Sequence, residues 1–277
     1  MVGACVKNGA SKVAMKIITL NIWDLPLWFV RDRKERIRRI GAYLNTLDAD
    51  IICLQESFDP RHRRIINALL KRYENTDANP QDRNVFFTSF DTTGGCITFS
   101  KFPILKTLFI PFSGSFFSPV EFFSRKGALI TLINTPYGIL RVVNTHLYQK
   151  SFLFDTVIRF RQMEYLFAYL RADESLPTII AGDFNEHDLI NNLQFLTLMR
   201  NGHFFHPKTD RWDPTYRKDN PYVMIWMNMI ADSKRFDYIL HNGLDLLKLR
   251  TGRYEVMRSA VLLSDHDPVM LVLKASL

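Results

Sequence analysis

The chain reads as a mixed α/β layered fold. Three observations predict it: short β-branched and apolar runs recur along its length, stretches with helical spacing separate several of them, and tight turns join others directly. Strand–helix–strand steps favour parallel neighbours and short turns favour antiparallel ones, so both kinds of pairing are expected. With 277 residues, of which 47% are hydrophobic and 23% charged, the chain can bury a large core. That composition excludes a disordered, collagen-like or coiled-coil protein.

Strands are predicted at Lys16–Trp23, Ala49–Leu54, Asn84–Phe90, Cys96–Ser100, Ala128–Ile133, Leu140–Asn144, Thr178–Ala181, Phe236–Leu240 and Pro268–Leu273, each a short run bounded by polar or turn residues. Helices are predicted where apolar residues recur every three or four positions. The first carries Ile37, Ile40, Leu44 and Leu47, with Asp32 and Glu35 spaced as a capping pair. Ile66, Leu69, Leu70 and Tyr73 mark a second, Phe160, Met163, Phe167 and Leu170 a third, and Leu189, Leu193 and Leu196 a fourth. Thr135-Pro136-Tyr137-Gly138 is a turn between two strands. No repeat, Gly/Ser linker or shift of composition divides the chain, so residues 15–277 read as one catalytic-sized domain behind an extension at 1–14.

There are 36 basic against 28 acidic residues, a net charge of +8, which favours a polyanion or an anionic membrane as partner. Arg31, Arg33, Lys34, Arg36, Arg38 and Arg39 crowd the first helix, and Arg61, Arg63 and Arg64 open the second. These read as solvated helix faces, with lipid head groups or a nucleic-acid backbone as the functional alternatives. Cys5, Cys53 and Cys96 are odd in number and far apart, which implies neither a disulfide framework nor a zinc site. No apolar run is long enough to span a membrane, and the N-terminus lacks the apolar core of a signal peptide, so a soluble protein is expected.

Six apolar runs end in carboxylate, amide or imidazole side chains: Ile17–Asn21, Ile51–Glu56, Val142–Leu147, Ile179–Asn185, Arg235–Ile239 and Leu263–Val269. Any one of them by itself reads better as a cap or a turn than as a site. Together they supply carboxylates for a hard cation, amides and imidazole for phosphate oxygens, and a His–Asp pair for moving a proton, the parts of metal-assisted phosphoester hydrolysis.

In this order, the motifs Thr19-Leu20-Asn21, Leu54-Gln55-Glu56, Asn144-Thr145-His146-Leu147, Gly182-Asp183-Phe184-Asn185, Arg235–Leu240 and Ser264–Val269 resemble those of the endonuclease/exonuclease/phosphatase superfamily. The resemblance implies a four-layer αββα sandwich of two mixed sheets flanked by helices, like that of DNase I. It also implies a Mg²⁺ ion, or Mn²⁺ or another divalent ion in its place. Glu56 would be the main metal ligand, with Asn21 and Asp265 in its shell. His266 would be the general base, Asp237 would orient it, Asp183 would position the nucleophile or protonate the leaving oxygen, and His146 and Asn185 would stabilise charge on the phosphate.

The superfamily's substrates include nucleic acids, inositol phosphates and lipids. Leu54-Gln55-Glu56-Ser57-Phe58-Asp59, Gly94–Ile104 and Ser124-Arg125-Lys126-Gly127 are similar to runs of the sphingomyelinase branch, whereas Tyr148-Gln149 and the missing signal peptide depart from its secreted bacterial members. The Trp and Cys-Asp-Arg hallmarks of inositol 5-phosphatases are absent. The expected activity is therefore Mg²⁺-dependent hydrolysis of a phospholipid, sphingomyelin above all, to ceramide and phosphocholine; a Mg²⁺-dependent nuclease is the alternative. Leu108–Phe123 holds six Phe broken by Pro, Gly and Ser, and Tyr222–Ile230 is rich in Met and Trp. Phe116, Phe117, Phe122, Phe123, Lys126 and Trp226 are accordingly the candidates for contact with substrate or a membrane interface. The expected protein is a monomer that meets a phospholipid surface peripherally and keeps no stable nucleic-acid partner.

Overall fold

Side chains alternate between the two faces of a strand, and here both faces of the central strands are covered. The computed structural model describes residues 13–28, 30–76, 93–112, 124–149, 155–173, 175–209, 211–223 and 232–276. One sheet runs in the order β10 (Leu249–Val256), β11 (Val269–Ala275), β1 (Val13–Asn21), β2 (Ile51–Gln55), β4 (Ile97–Ser100), β3 (Glu74–Asn75). The other runs β5 (Ile104–Pro111), β6 (Gly127–Thr135), β7 (Gly138–His146), β8 (Thr178–Asp183), β9 (Asp237–Asn242). Each sheet contains one parallel pair, β1–β2 and β7–β8, among antiparallel neighbours. The crossovers of those pairs carry α1 (Arg33–Leu47) and α3 (Asp155–Arg171), while α2 (Pro60–Leu69) and α4 (Leu193–Asn201) follow β2 and β8.

Alternation decides the layers. Ile17, Ile51 and Cys53 face Val142, Ile179 and Ile239 between the sheets, while Ile18, Leu20, Ile52 and Leu54 pack outward on Ile37, Ile40, Leu44 and Ile66 of α1 and α2. On the other side Val143, Ile180, Tyr238 and Leu240 pack on Met163, Leu166 and Phe167 of α3 and Phe195 of α4. The result is the four-layer αββα sandwich. Continued to the strand ends, the same parity turns Thr19 and Asn21, Gln55, Asn144 and His146, Asp183 and Asp237 into the space between the sheets. The register pairs Asn21 with Gln55, His146 with Asp183 and Asp183 with Asp237, so these groups share one end of the sandwich.

Several elements differ from expectation. β1 starts at Val13, ahead of Lys16, and the strand expected at Asn84–Phe90 lies outside the described residues. The unpredicted β5 and β10 sit at sheet edges, where polar residues on a solvated face hide the apolar alternation. β5 takes up Leu108–Pro111, the beginning of the stretch read as a lipid-facing loop, and Ile110 and Phe112 are buried in the core under α3. Pro111 closes this edge strand, where a missing N–H costs little. Asp32 does not cap α1 with its side chain. In α4 the buried face is Phe195 and Met199, and Leu193 is 72% exposed.

The basic residues of α1 are not one solvated face. Arg36 is fully buried and donates to the carbonyls of Trp23 (2.6 Å), Ile22 (2.8 Å), Arg31 (2.9 Å) and Leu263 (3.4 Å), with its guanidinium 4.9 Å from the Trp23 ring centre. Arg33 is half-buried against Asp24 and Asp59, and Arg63 is buried on the carbonyl of Ser57. Because orphaned buried carbonyls are costly, Arg36→Met should destabilise the fold by about 3 kcal/mol or more. Arg38→Met, one turn-face away and exposed, should cost at most about 0.5 kcal/mol. Urea denaturation of both variants checks this, and equal losses would contradict the assigned burial.

Candidate active site

Beneath the site lies a layer of paired polar groups. The Gln55 side-chain N–H donates to Thr19 Oγ1 (2.9 Å) and to Asn144 Oδ1 (2.7 Å), and Asn144 Nδ2 donates to the carbonyls of Leu54 and Ile97, both at 3.0 Å. The bonds that Asn144 makes with Gln55, Leu54 and Ile97 run from one sheet to the other. Above them, Asn21 Nδ2 donates to Glu56 Oε1 on its own sheet (3.1 Å) and, across the sheets, to Asp183 Oδ2 (3.0 Å), while its Oδ1 accepts from the Trp23 N–H at 2.9 Å. The amide thus turns its N–H groups, rather than its oxygen, toward the carboxylates.

His266 stands just ahead of β11 and its Nδ1 lies 2.7 Å from Asp237 Oδ2 at the start of β9. Its Nε2 lies 3.8 Å from Asp183 Oδ2. Burial alone would lower the His266 pKa, but the carboxylates of Asp237, Asp265 and Asp183 outweigh it and hold the imidazole well above its ordinary value. His146 Nε2 is 3.6 Å from Asp183 Oδ2 and 3.8 Å from Glu56 Oε1, yet burial, together with Lys126 and His266, pushes its pKa well down. One site therefore holds a basic imidazole and a neutral one.

Glu56 is buried, and burial with the charge of Asp265 raises its pKa to about 7. Asp183 is raised to about 6, first by burial and then by Asp237, and burial also raises Asp265. Glu56 and Asn185 both have positive φ, 56° and 50°, a conformation that side-chain-bearing residues hold only where their surroundings fix it. Asn185 donates through its backbone N–H to Asp183 Oδ1 (2.8 Å) and through Nδ2 to the Leu147 carbonyl (3.0 Å). Asp265 Oδ1 accepts from the Ser264 hydroxyl at 3.0 Å.

The donors fit a hard divalent cation. Glu56 Oε2 is buried and accepts no hydrogen bond among the described residues, and with Asp265 it offers carboxylate oxygens of the kind Mg²⁺ and Mn²⁺ prefer. Asp183, Asp237 and His266 also bring ligand-type atoms within 4.8 Å of one another. There the closest contact is the Asp–His hydrogen bond, which engages Nδ1, so that trio is better accounted for as a proton-moving pair with a neighbouring carboxylate.

The structure thus brings together Asn21, Glu56, His146, Asp183, Asn185, Asp237, Asp265 and His266. Lys126 is buried rather than poised at a surface, and its charge acts on Glu56, Asp183 and His146, which corrects its reading as a membrane contact and leaves a substrate role open to it. Phe116, Phe117, Phe122, Phe123 and Trp226 lie outside the described residues. A segment that motif reading missed holds the His–Asp pair in place. Thr215 Oγ1 accepts from the N–H groups of Phe236 (3.0 Å) and Asp237 (3.3 Å), the Thr215 carbonyl accepts from the Asp267 N–H (2.7 Å), and the Tyr216 ring meets the His266 ring edge-on at 5.2 Å. In sequence, Asp213-Pro214-Thr215 shows only a turn.

Residues 18–266 match the model of the Endonuclease/Exonuclease/phosphatase family, a span that contains the whole constellation from Asn21 to His266. The chain belongs to this family. Among family relatives, the inositol phosphosphingolipids phospholipase C of Schizosaccharomyces pombe is 30% identical over 186 residues, covering 62% of this chain and 41% of that protein. The chain spans less than half the length of the curated relatives it matches. The fold is shared with sphingomyelinase C from Streptomyces griseocarneus (TM-score 0.73, 20% identity, 93% of this chain and 98% of that one). It is shared too with a beta toxin mutant from Staphylococcus aureus with bound magnesium ions (TM-score 0.71, 19% identity, 94% and 99%).

The raised pKa of Glu56 has a definite sign in stability. Folded, it holds its proton up to about pH 7, while the unfolded value is 4.5, so its contribution is present at low pH and is lost as pH rises from 4.5 to about 7. His146, lowered by burial, works in the opposite direction below 6.5. The difference between the parent and Glu56→Gln, both in EDTA, isolates the carboxylate: the parent's relative melting temperature should fall across that window. Added Mg²⁺ should raise the parent's melting temperature more at about pH 8 than at about pH 5, because ligands must be deprotonated. A pH-independent difference, or a larger Mg²⁺ effect in acid, would contradict the assignment.

Proposed function

We propose that the chain is a Mg²⁺-dependent phosphodiesterase that hydrolyses a phospholipid, with sphingomyelin, giving ceramide and phosphocholine, as its leading substrate. The observation that carries the reading is the meeting, in one buried space, of Glu56, whose Oε2 accepts no hydrogen bond among the described residues, the His266–Asp237 pair and the neutral His146. The names of the relatives and of the proteins sharing the fold support a lipid substrate, as do the runs around Ser57-Phe58-Asp59 and Arg125-Lys126-Gly127. In this reading the protein acts as a monomer at a membrane surface.

Glu56 and Asp265 would hold the ion, with Asn21 fixing the Glu56 carboxylate. A divalent ion bound there would supply Lewis-acid polarisation of the phosphate and would offset the negative field of the carboxylates around His266. His266 takes a proton from the attacking water at Nε2, since Nδ1 is engaged by Asp237. Asp183, its pKa raised to about 6 chiefly by burial, gives a proton to the departing lipid oxygen in this reading. His146 and Asn185 donate to phosphate oxygens, and the buried charge of Lys126 favours the dianionic transition state over the ground state. Water attacks phosphorus, the lipid alkoxide leaves with the proton from Asp183, and the head-group phosphate is released.

In detergent mixed micelles the protein should hydrolyse sphingomyelin with Mg²⁺ and stop in EDTA. A panel of phosphatidylcholine, phosphoinositide and DNA, each with Mg²⁺ or Mn²⁺, ranks the substrates; brisk DNA cleavage without lipid hydrolysis would move the protein to the nuclease alternative. His266→Ala should fold normally and lose about a thousandfold or more in turnover. Turnover near that of the parent would remove His266 from the role of base.

A further inference from the structure

Glu56 lies one residue beyond β2 with φ of 56°, so its carboxylate is aimed by whatever holds that backbone. Its carbonyl accepts from the Asp24 N–H at 3.1 Å. The next residue is held twice, by the Ser57 N–H on the Gly95 carbonyl (2.8 Å) and by Arg63 Nε on the Ser57 carbonyl (2.6 Å). Asp24 is itself a fully buried carboxylate. Its Oδ1 receives Arg33 Nε from α1 at 2.9 Å and faces His62 Nδ1 from α2 at 2.8 Å. Arg33 also donates to the Asp24 carbonyl (3.1 Å) and to Asp59 Oδ2 (3.3 Å), and Asp59 caps α2 through the Arg61 N–H.

Asp24 therefore ties α1, α2 and the Glu56 turn to one point, and none of its side-chain hydrogen bonds among the described residues goes to Asn21, Asp183, Asp237 or His266. A charge this deep persists only where its partners balance it, and Arg33 supplies a fork-shaped donor with permanent charge. Groups that orient a metal-binding carboxylate from behind tune its affinity without touching the reacting atoms. We propose that Asp24, with Arg33 and His62, is a positioning cluster that sets the affinity of Glu56 for its divalent cation; this rests on the metal reading of Glu56 given above.

The test is a Mg²⁺ titration read by melting temperature, run beside the Mg²⁺ dependence of lipid hydrolysis. Asp24→Asn, nearly isosteric, should raise the midpoint of the Mg²⁺-induced stabilisation by about ten- to a hundredfold. With saturating Mg²⁺, kcat should return to within about threefold of the parent and KM for lipid should not move. Arg33→Gln, which leaves the Asp24–His62 contact, should shift the midpoint in the same direction and serves if Asp24→Asn does not fold. An unchanged Mg²⁺ midpoint in the folded variant, or a loss of kcat that saturating Mg²⁺ does not restore, would overturn the proposal. Glu56→Gln separates the two readings. If that variant loses the Mg²⁺ response while Asp24→Asn and Arg33→Gln keep the parent's midpoint, only the positioning role fails. If Glu56→Gln keeps the response, or the parent has none, the metal reading fails and the positioning role with it.

Discussion

The contact between the two sheets is apolar along most of its depth and polar at one end, and the hydrogen bond from Gln55 to Asn144 marks the border. Below it Ile17, Cys53, Val142 and Ile239 exclude water. Above it the strands turn inward the amide of Asn21, the imidazole of His146 and the carboxylates of Asp183 and Asp237. A buried amide without partners is costly, so the 2.7 Å bond between Gln55 and Asn144, with its extensions to Thr19 and to the carbonyls of Leu54 and Ile97, lets the polar layer exist and fixes the two sheets relative to each other. Asn21, reaching Glu56 on its own sheet and Asp183 on the other, continues that cross-linking into the site.

Burial then sorts the titratable groups. The same loss of water that pushes His146 down pushes Glu56 and Asp183 up, while three carboxylates around His266 outweigh its burial and push it up instead. Four groups with ordinary values in water become a neutral imidazole, a charged imidazole and two carboxyls raised to about 6 and about 7. That is an electrostatic deficit of positive charge in a dry space, the condition a divalent cation relieves.

The net charge of +8 also takes on a different meaning in three dimensions. Arg33, Arg36 and Arg63 spend their charge inside the protein, on backbone carbonyls and on Asp24 and Asp59, and so are not a surface for a polyanion. In sequence nothing separates Arg36 from Arg38, because both sit in one run of basic residues on a helix. Only the packing of α1 on the loop after β1 turns one inward and leaves the other in water.

Much of the fold and site was legible because it depends on local rules. Short β-branched and apolar runs identified the central strands, 3.6-residue spacing identified α1 and α3, and polar residues ending apolar runs identified Asn21, Glu56, His146, Asp183, Asp237 and His266. Edge strands β5 and β10, the phase of α4 and the failed cap at Asp32 were not legible, since a half-solvated strand and a short helix carry too few buried positions to set a pattern. Thr215 and Asp24 escaped for a different reason: their work is done through hydrogen bonds to residues distant in the chain. The sequence by itself determined which polar side chains close the central apolar runs, because a short apolar run that ends in amides, imidazoles and carboxylates is visible locally, without knowing what packs against it. The tertiary structure alone decided charge state and aim, because desolvation, coupling between carboxylates and the clamp around Glu56 arise only when segments far apart in the chain are buried together.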